Sequence, residues 1–243
     1  GNGSLTVGSL LHKQANLPII GIPKTIDNDV VGTDDSVGFH TAVQIATDAI
    51  DRLHTTAESH DRVMVVELMG RDAGWIALHA GIAGGATVIL VPERPFHIDR
   101  VCELVSRRHQ RGRYASIVVV AEGATPLPNS ELLIDYAKDQ FGRDSLGGIS
   151  TALAPLIEKA TGFDVRVVQI GHLQRGGTPT AYDRILATRF GLSAIDAAES
   201  GAFGMMTALN ANSIEHAPLT LSEGTTRTVD LSLYDEIDDV FFG

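Results

Sequence analysis

The sequence predicts an α/β fold built on doubly wound, mostly parallel sheet. Five short runs of aliphatic and β-branched residues alternate with longer segments of helical periodicity. Each run is apolar almost without a break, as parallel strands covered on both faces are. Polar residues gather just beyond the runs, where such sheets bind ligands.

The strands are expected at "LPIIGI" (17–22), "RVMVVEL" (62–68), "ATVILV" (86–91), "ASIVVVAE" (115–122) and "DVRVVQIG" (164–171). The first helix is expected over 37–53, where Phe39, Ala42, Val43, Ala46, Ala49, Ile50 and Leu53 recur at helical spacing. Asp34 and Asp35 precede it and read as its caps. "GWIALHAGIAGG" (74–85) is apolar nearly all round and should be buried. "DRVCELVSRRHQRG" (99–112) offers Asp99 as an N-cap and a basic end that suits the helix dipole. Helices over 145–162 and 183–201 each end in a glycine that can cap them.

Composition narrows the function. A formal net charge of −11 disfavours a nucleic-acid binder, because phosphate backbones attract basic surfaces. The single cysteine, Cys102, excludes an internal disulfide, and zinc-ligand spacing is absent, which suits a reducing cytoplasm. His54, His60, His79, His97 and His109 likewise show no ligand spacing. No apolar run approaches membrane-spanning length, so neither a membrane nor nucleic acid is an expected partner. The chain opens "GNGSLTVG" without methionine, reading as a start inside a glycine-rich loop and hence as an N-terminal truncation.

The polar clusters suggest phosphate chemistry. "LPIIGI" delivers Lys24, Thr25, Asp27 and Asp29, "RVMVVEL" delivers Met69, Gly70 and Arg71, "ASIVVVA" delivers Glu122, and "DVRVVQI" carries Arg166 and leads to His172 and Arg175. Four strands thus feed what should be one rim. Arg71, Arg166, Arg175 and His172 can surround a phosphoryl group, since the planar guanidinium fork matches phosphate oxygens. Asp27 and Asp29 can act as a general base and a metal-side carboxylate. "DND" is equally good turn chemistry, and spacing alone leaves the two readings open. Lys24 can meet a donor's phosphates or pair with Asp34 or Asp35. Backbone N–H groups at Gly1, Asn2, Gly3 and Ser4 can approach phosphates.

"PKTIDND", "MGRDAGWIALHAG", "AEGA" and "GHLQRGGTPTAYDR", in this order, resemble the 6-phosphofructokinase family from Gly1 to about Gly204. The resemblance implies two Rossmann-like domains with the active site between them: residues 1–38 plus 174–224 for the nucleotide, and 39–173 plus 225–243 for the sugar phosphate. It implies phosphoryl transfer to the 1-hydroxyl of fructose 6-phosphate, in the cytoplasm, by a homotetramer or homodimer with shared active sites. Asp27 matches the base, with Thr25 beside it, and Asp29 sits near Mg²⁺. Arg71 matches the group that stabilises the transferring phosphoryl, while Met69 and Gly70 line the sugar. Glu122 matches the carboxylate on the sugar hydroxyls, and His172 with Arg175 the sugar-phosphate grip. Arg62 and Arg166 match arginines that a neighbouring subunit supplies. Gly1, Asn2, Gly3, Ser4 and Lys24 fall at the donor site. Asn2 stands where the family often has an acid, and is a poorer Mg²⁺ ligand. Lys24 is typical of pyrophosphate users, which pair it with an aspartate at the position of Gly3. Gly3 leaves room for a nucleotide, so ATP is the expected donor and pyrophosphate the alternative. A non-catalytic sugar-phosphate-binding subunit is the reading from another class.

Overall fold

A computed structural model describes residues 1–128 and 146–241. The chain divides into two compact units, residues 1–42 with 177–228, and 43–176 with 229–243. Among the described residues, no helix is long and apolar enough to cross a membrane.

The first unit holds α1 (Asn2–Ala15), β1 (Ile20–Gly21), the start of α2 (Phe39–Ser59), α6 (Ala181–Glu199), β6 (Met205–Asn210) and β7 (Ser213–Pro218). Its sheet runs β1-β6-β7, with β1 parallel to β6 and β7 returning antiparallel. Leu5, Val30, Met206 and Leu219 form one core cluster, and Leu186, Phe190 and Leu209 another. The expected glycine loop at the start is instead the first turn of α1. Gly3 and Gly8 are poor helix formers, but burial of Leu5 and Ser9 outweighs that local cost.

The second unit contains β2 (Val63–Leu68), α3 (Trp75–Ala83), β3 (Val88–Leu90), α4 (Ile98–Gln110), β4 (Ser116–Ala121), α5 (Ile149–Thr161), β5 (Val165–Gln169) and α7 (Leu231–Phe241). The predicted helix over 145–162 begins at Ser145, outside the described residues. All four strands are parallel in the order β3-β4-β2-β5. The steps from β2 to β3 and from β3 to β4 run in opposite directions across the sheet, so right-handed crossovers put α3 and α4 on opposite faces. Helix α5 packs on α4, β5 and β2. Every residue of β2, β3 and β4 is buried, which is why these strands read as unbroken apolar runs. The exception, Glu67, accepts hydrogen bonds from the N–H groups of Gly148 (2.9 Å) and Ser150 (3.0 Å) at the start of α5. The carboxylate thereby meets the positive end of the helix dipole.

Three expectations need correction. Strand β1 lies in a different sheet from β2, β4 and β5, because its pairing partner is β6. The strand ends therefore form two rims, not one. Second, α4 is N-capped by His97, and Asp99 sits within its first turn. Third, Asp34 and Asp35 do not cap α2. Asp34 accepts from the N–H of Ala211 (2.6 Å) and so holds the β6–β7 turn, where Ala211 has φ +51°. Asp35 accepts from His40 Nε2 (3.1 Å) and the Tyr182 hydroxyl. The capping carboxylate is Asp183, which accepts from the N–H groups of Gly38 (2.8 Å) and Thr41 (2.7 Å) and from the Thr41 hydroxyl.

Candidate active site

In the first unit, the segment after β1 is organised by Asn28. This residue is buried with φ +53°. Its Oδ1 accepts from the Ser36 N–H (2.9 Å), and its Nδ2 donates to the Asp34 carbonyl (3.2 Å). Asparagine tolerates this left-handed backbone better than most residues. Asn28 therefore makes the turn that "DND" suggested, with Asp27 and Asp29 flanking it. Asp27 Oδ2 accepts from the Thr25 hydroxyl (3.1 Å), whose oxygen in turn accepts from the Asp27 N–H (3.2 Å).

Asp29 is tied to the start of α1. Asn2 Nδ2 donates to the Asp29 carbonyl (2.8 Å) and to Oδ2 (3.0 Å). Burial pushes the Asp29 carboxyl above its usual range, and the charge of Asp27 pushes it further. Asn2 Oδ1 and Asp29 Oδ1 are buried with no hydrogen-bond partner among the described residues. Two orphaned oxygen acceptors beside a second carboxylate suit a hard cation such as Mg²⁺, with waters or substrate oxygens completing its shell.

The sign of the pH effect follows. A raised carboxylate favours its protonated form in the fold, so ionised Asp29 lowers stability at neutral pH, and that penalty fades as pH falls through the folded pKa. In chelator, Asp29→Asn is expected to melt higher than the wild type at pH 7, and the gap should close towards acid. Added Mg²⁺ should raise the melting temperature of the wild type but not of the variant. Equal Mg²⁺ shifts in both proteins would rule out Asp29 as a Mg²⁺ ligand.

Lys24 is exposed, and among the described residues its ammonium makes no ion pair. The expected pairing with Asp34 or Asp35 does not form, because both carboxylates are engaged elsewhere in the unit. Within the first turn of α1, Ser4 and Leu5 donate their N–H groups to the Gly1 carbonyl. Those of Asn2 and Gly3 have no such partner in the helix, as is usual at an N-terminus. A Cβ placed on Gly3 would meet nothing within 4 Å.

In the second unit, β4, β2 and β5 are adjacent and parallel, so Glu122, Met69–Arg71 and His172–Arg175 gather beyond one sheet edge. The Met69–Arg71 corner is strained: Gly70 has φ +147° and Arg71 φ +53°. The left-handed arginine costs on the order of 1–3 kcal/mol. Glu122 Oε1 accepts from the Gly70 (3.3 Å) and Arg71 (3.0 Å) N–H groups. A Cβ on Gly123 would stand 2.1 Å from the Arg71 carbonyl oxygen, so only glycine fits there. The Arg71 side chain is exposed and lies 3.6 Å from the Asp72 carboxylate. His172 and Arg175 are exposed on a 3-10 turn, Gly171–Arg175.

Arg166 does not join this group. It pairs in register with Met64 near the N-terminal end of β2, whereas Arg71 lies past the C-terminal end. Arg62 sits at the same end as Arg166. Asp164 bridges the two, accepting from Arg62 Nε (2.5 Å) and Arg166 Nη1 (2.7 Å). The grouping of Arg166 with Arg71, Arg175 and His172 treated the strand as a point, but β5 has a direction and its two ends face opposite ways.

Sequence reasoning passed over Asn28, Asp164, Asp183 and Gln174. Each works through a distant or buried contact with no periodic signature. Gln174 had the nearest signal, lying between His172 and Arg175.

The phosphofructokinase family model matches residues 1–198. The chain is 53% identical over its whole length to a pyrophosphate–fructose 6-phosphate 1-phosphotransferase of Streptomyces coelicolor, covering 70% of that relative. It is 52% identical over its whole length to an ATP-dependent 6-phosphofructokinase of Mycobacterium tuberculosis, again covering 70% of it. Phosphofructokinase from Saccharomyces cerevisiae superposes over 99% of this chain and 32% of its own, with a TM-score of 0.77 and 33% identity. A family match over most of the chain, a shared fold, and these motifs at the sheet edges agree: the chain belongs to the phosphofructokinase family.

Proposed function

We propose that the protein transfers the terminal phosphoryl group of ATP to the 1-hydroxyl of fructose 6-phosphate, giving ADP and fructose 1,6-bisphosphate. The observation that carries this reading is the role of Asn28: it makes the turn, so neither flanking aspartate is needed as a turn former. Asp27 takes the proton of the attacking hydroxyl, and Thr25 orients the carboxylate through the bond to Oδ2. Arg71 stabilises the charge on the transferring phosphoryl oxygens, with Met69 and Gly70 against the sugar. Glu122 holds sugar hydroxyls with the carboxylate that also fixes the corner. His172 and Arg175 grip the 6-phosphate. Asn2 and Asp29 hold Mg²⁺, which neutralises donor phosphate charge when bound. Lys24 and the α1 N-terminus, with Gly1, Gly3 and Ser4, receive the donor phosphates. The first unit thus serves as the donor domain and the second as the sugar-phosphate domain.

ATP is favoured by Gly3, which brings no carboxylate to repel a nucleotide and where an added Cβ would meet nothing within 4 Å. Pyrophosphate is the second reading, supported by Lys24 and by the name of the Streptomyces relative. A coupled assay of the full-length protein with fructose 6-phosphate and each donor decides between them, and turnover with pyrophosphate alone reverses the assignment. An added Cβ at Gly3 meets nothing within 4 Å, and Gly3→Asp is expected to lower turnover with ATP by about tenfold or more, a carboxylate–phosphate repulsion of about 1.4 kcal/mol.

Arg62 and Arg166 face away from the Arg71 corner, which suits donation to a second copy of the chain. The protein then works as a homotetramer or homodimer with shared sites. Mixing inactive Arg166→Ala with inactive Asp27→Asn should restore part of the activity, because one hybrid site has both residues intact. No recovery after subunit exchange would mean that each chain completes its own site.

A further inference from the structure

We infer that Gln174 is a positioning residue that couples the sugar-phosphate grip to the arginine corner. The inference rests on the proposed role of Arg71. Gln174 lies one residue before Arg175 and two after His172, yet it is only 1% exposed while both of those side chains face solvent. Its Oε1 accepts the Met69 N–H at 2.8 Å, joining the 3-10 turn at the end of β5 to the corner at the end of β2. The amide orientation is fixed by that bond, since a flipped side chain would face a donor with a donor.

The other half of the amide is unused. Gln174 Nε2 is buried and has no hydrogen-bond partner among the described residues. A buried donor left unpaired lowers stability, whereas an apolar side chain of equal length would leave the Met69 N–H unpaired instead. The glutamine is therefore placed by its acceptor and not by its donor. What the amide supplies is a fixed acceptor for Met69, two residues before Arg71. The corner is then held by Glu122 at Gly70 and Arg71, by Gly123 beneath the Arg71 carbonyl, and by Gln174 at Met69. Only the last contact comes from the segment that grips the sugar phosphate. Filling that grip and setting the corner thus act through one side chain.

Gln174→Met keeps the length and loses the acceptor. It should lower kcat by about 10²-fold, the scale of a small misplacement of a catalytic group, with KM for the sugar phosphate little changed. Gln174→Glu keeps an acceptor for Met69 and should recover most of kcat. In an Arg71→Ala background, Gln174→Met should add almost nothing, because both changes remove the same interaction. Independent, multiplying losses would overturn the inference, as would a loss confined to KM. An Arg71→Ala protein with normal turnover would instead overturn the role of Arg71. Should Gln174→Met fail to fold, the wild type still decides: exchange of the Met69 amide should slow when fructose 6-phosphate binds without donor. An unchanged rate overturns the coupling.

Discussion

Asp27→Asn lowers kcat by about 10²–10⁴-fold, the usual contribution of a positioned general base, and leaves the KM for fructose 6-phosphate within a small factor. Asparagine keeps an oxygen for the Thr25 hydroxyl, and the turn is held by Asn28, so the local fold survives. The loss is therefore chemical. A wild-type kcat profile falls on the acid side as the base is protonated, and that limb is absent from the variant's residual activity. Steady-state kinetics across pH, with circular dichroism to check folding, measures both. A kcat within tenfold of wild type would mean that another group takes the proton.

Arg71→Gly separates activity from stability. Removing the guanidinium lowers kcat by about 10³-fold or more, the scale seen when an arginine leaves a phosphoryl-transfer site. Stability moves the other way. Arg71 holds a left-handed backbone that glycine adopts without steric cost, partly offset by the extra freedom of glycine in the unfolded chain. The net expectation is a protein as stable as wild type, or more stable by up to about 1 kcal/mol. Arg71→Lys retains the charge but not the fork, and recovers only a minor part of the rate. Denaturant titration beside kinetics tests the pair. A clear loss of stability in Arg71→Gly would show that the arginine is there to hold the fold.

The β2, β3 and β4 strands were legible because burial on both faces leaves an unmistakable apolar run. Strands β6 and β7 were not. β7 has no two-residue alternation, since only Ile214 and Ala217 are half-buried while Glu215 and His216 between them are both exposed, and the turn between the strands is the unremarkable pair Ala211-Asn212. Helix α1 was hidden by two glycines whose cost is outweighed by partners far away in sequence, Val30, Met206 and Leu219 against Leu5 and Glu223 against Ser9. The site divides in the same way. The motifs could be named from the string, but Asp183 and Gln174, though inside one of them, act on backbone groups 142 and 105 positions away. The separation of Arg166 from Arg71 depends on strand direction, which composition does not encode.

The reach of Asp183 to the first turn of α2 also sets an order of events during synthesis. Ribosomes deliver about 5–20 residues per second, so residues 38–41 wait several seconds for the carboxylate that caps them. The parallel strands of the second unit, β2 to β5, all emerge within that interval and can pair. The first unit can close only after residues 177–228 have been made. Nascent chains stalled before Asp183 clears the exit tunnel should therefore protect the 63–169 sheet from protease while leaving the segment from Gly1 to Thr41 open to cleavage. Equal protection of both would mean that the early segment closes without its late-arriving cap.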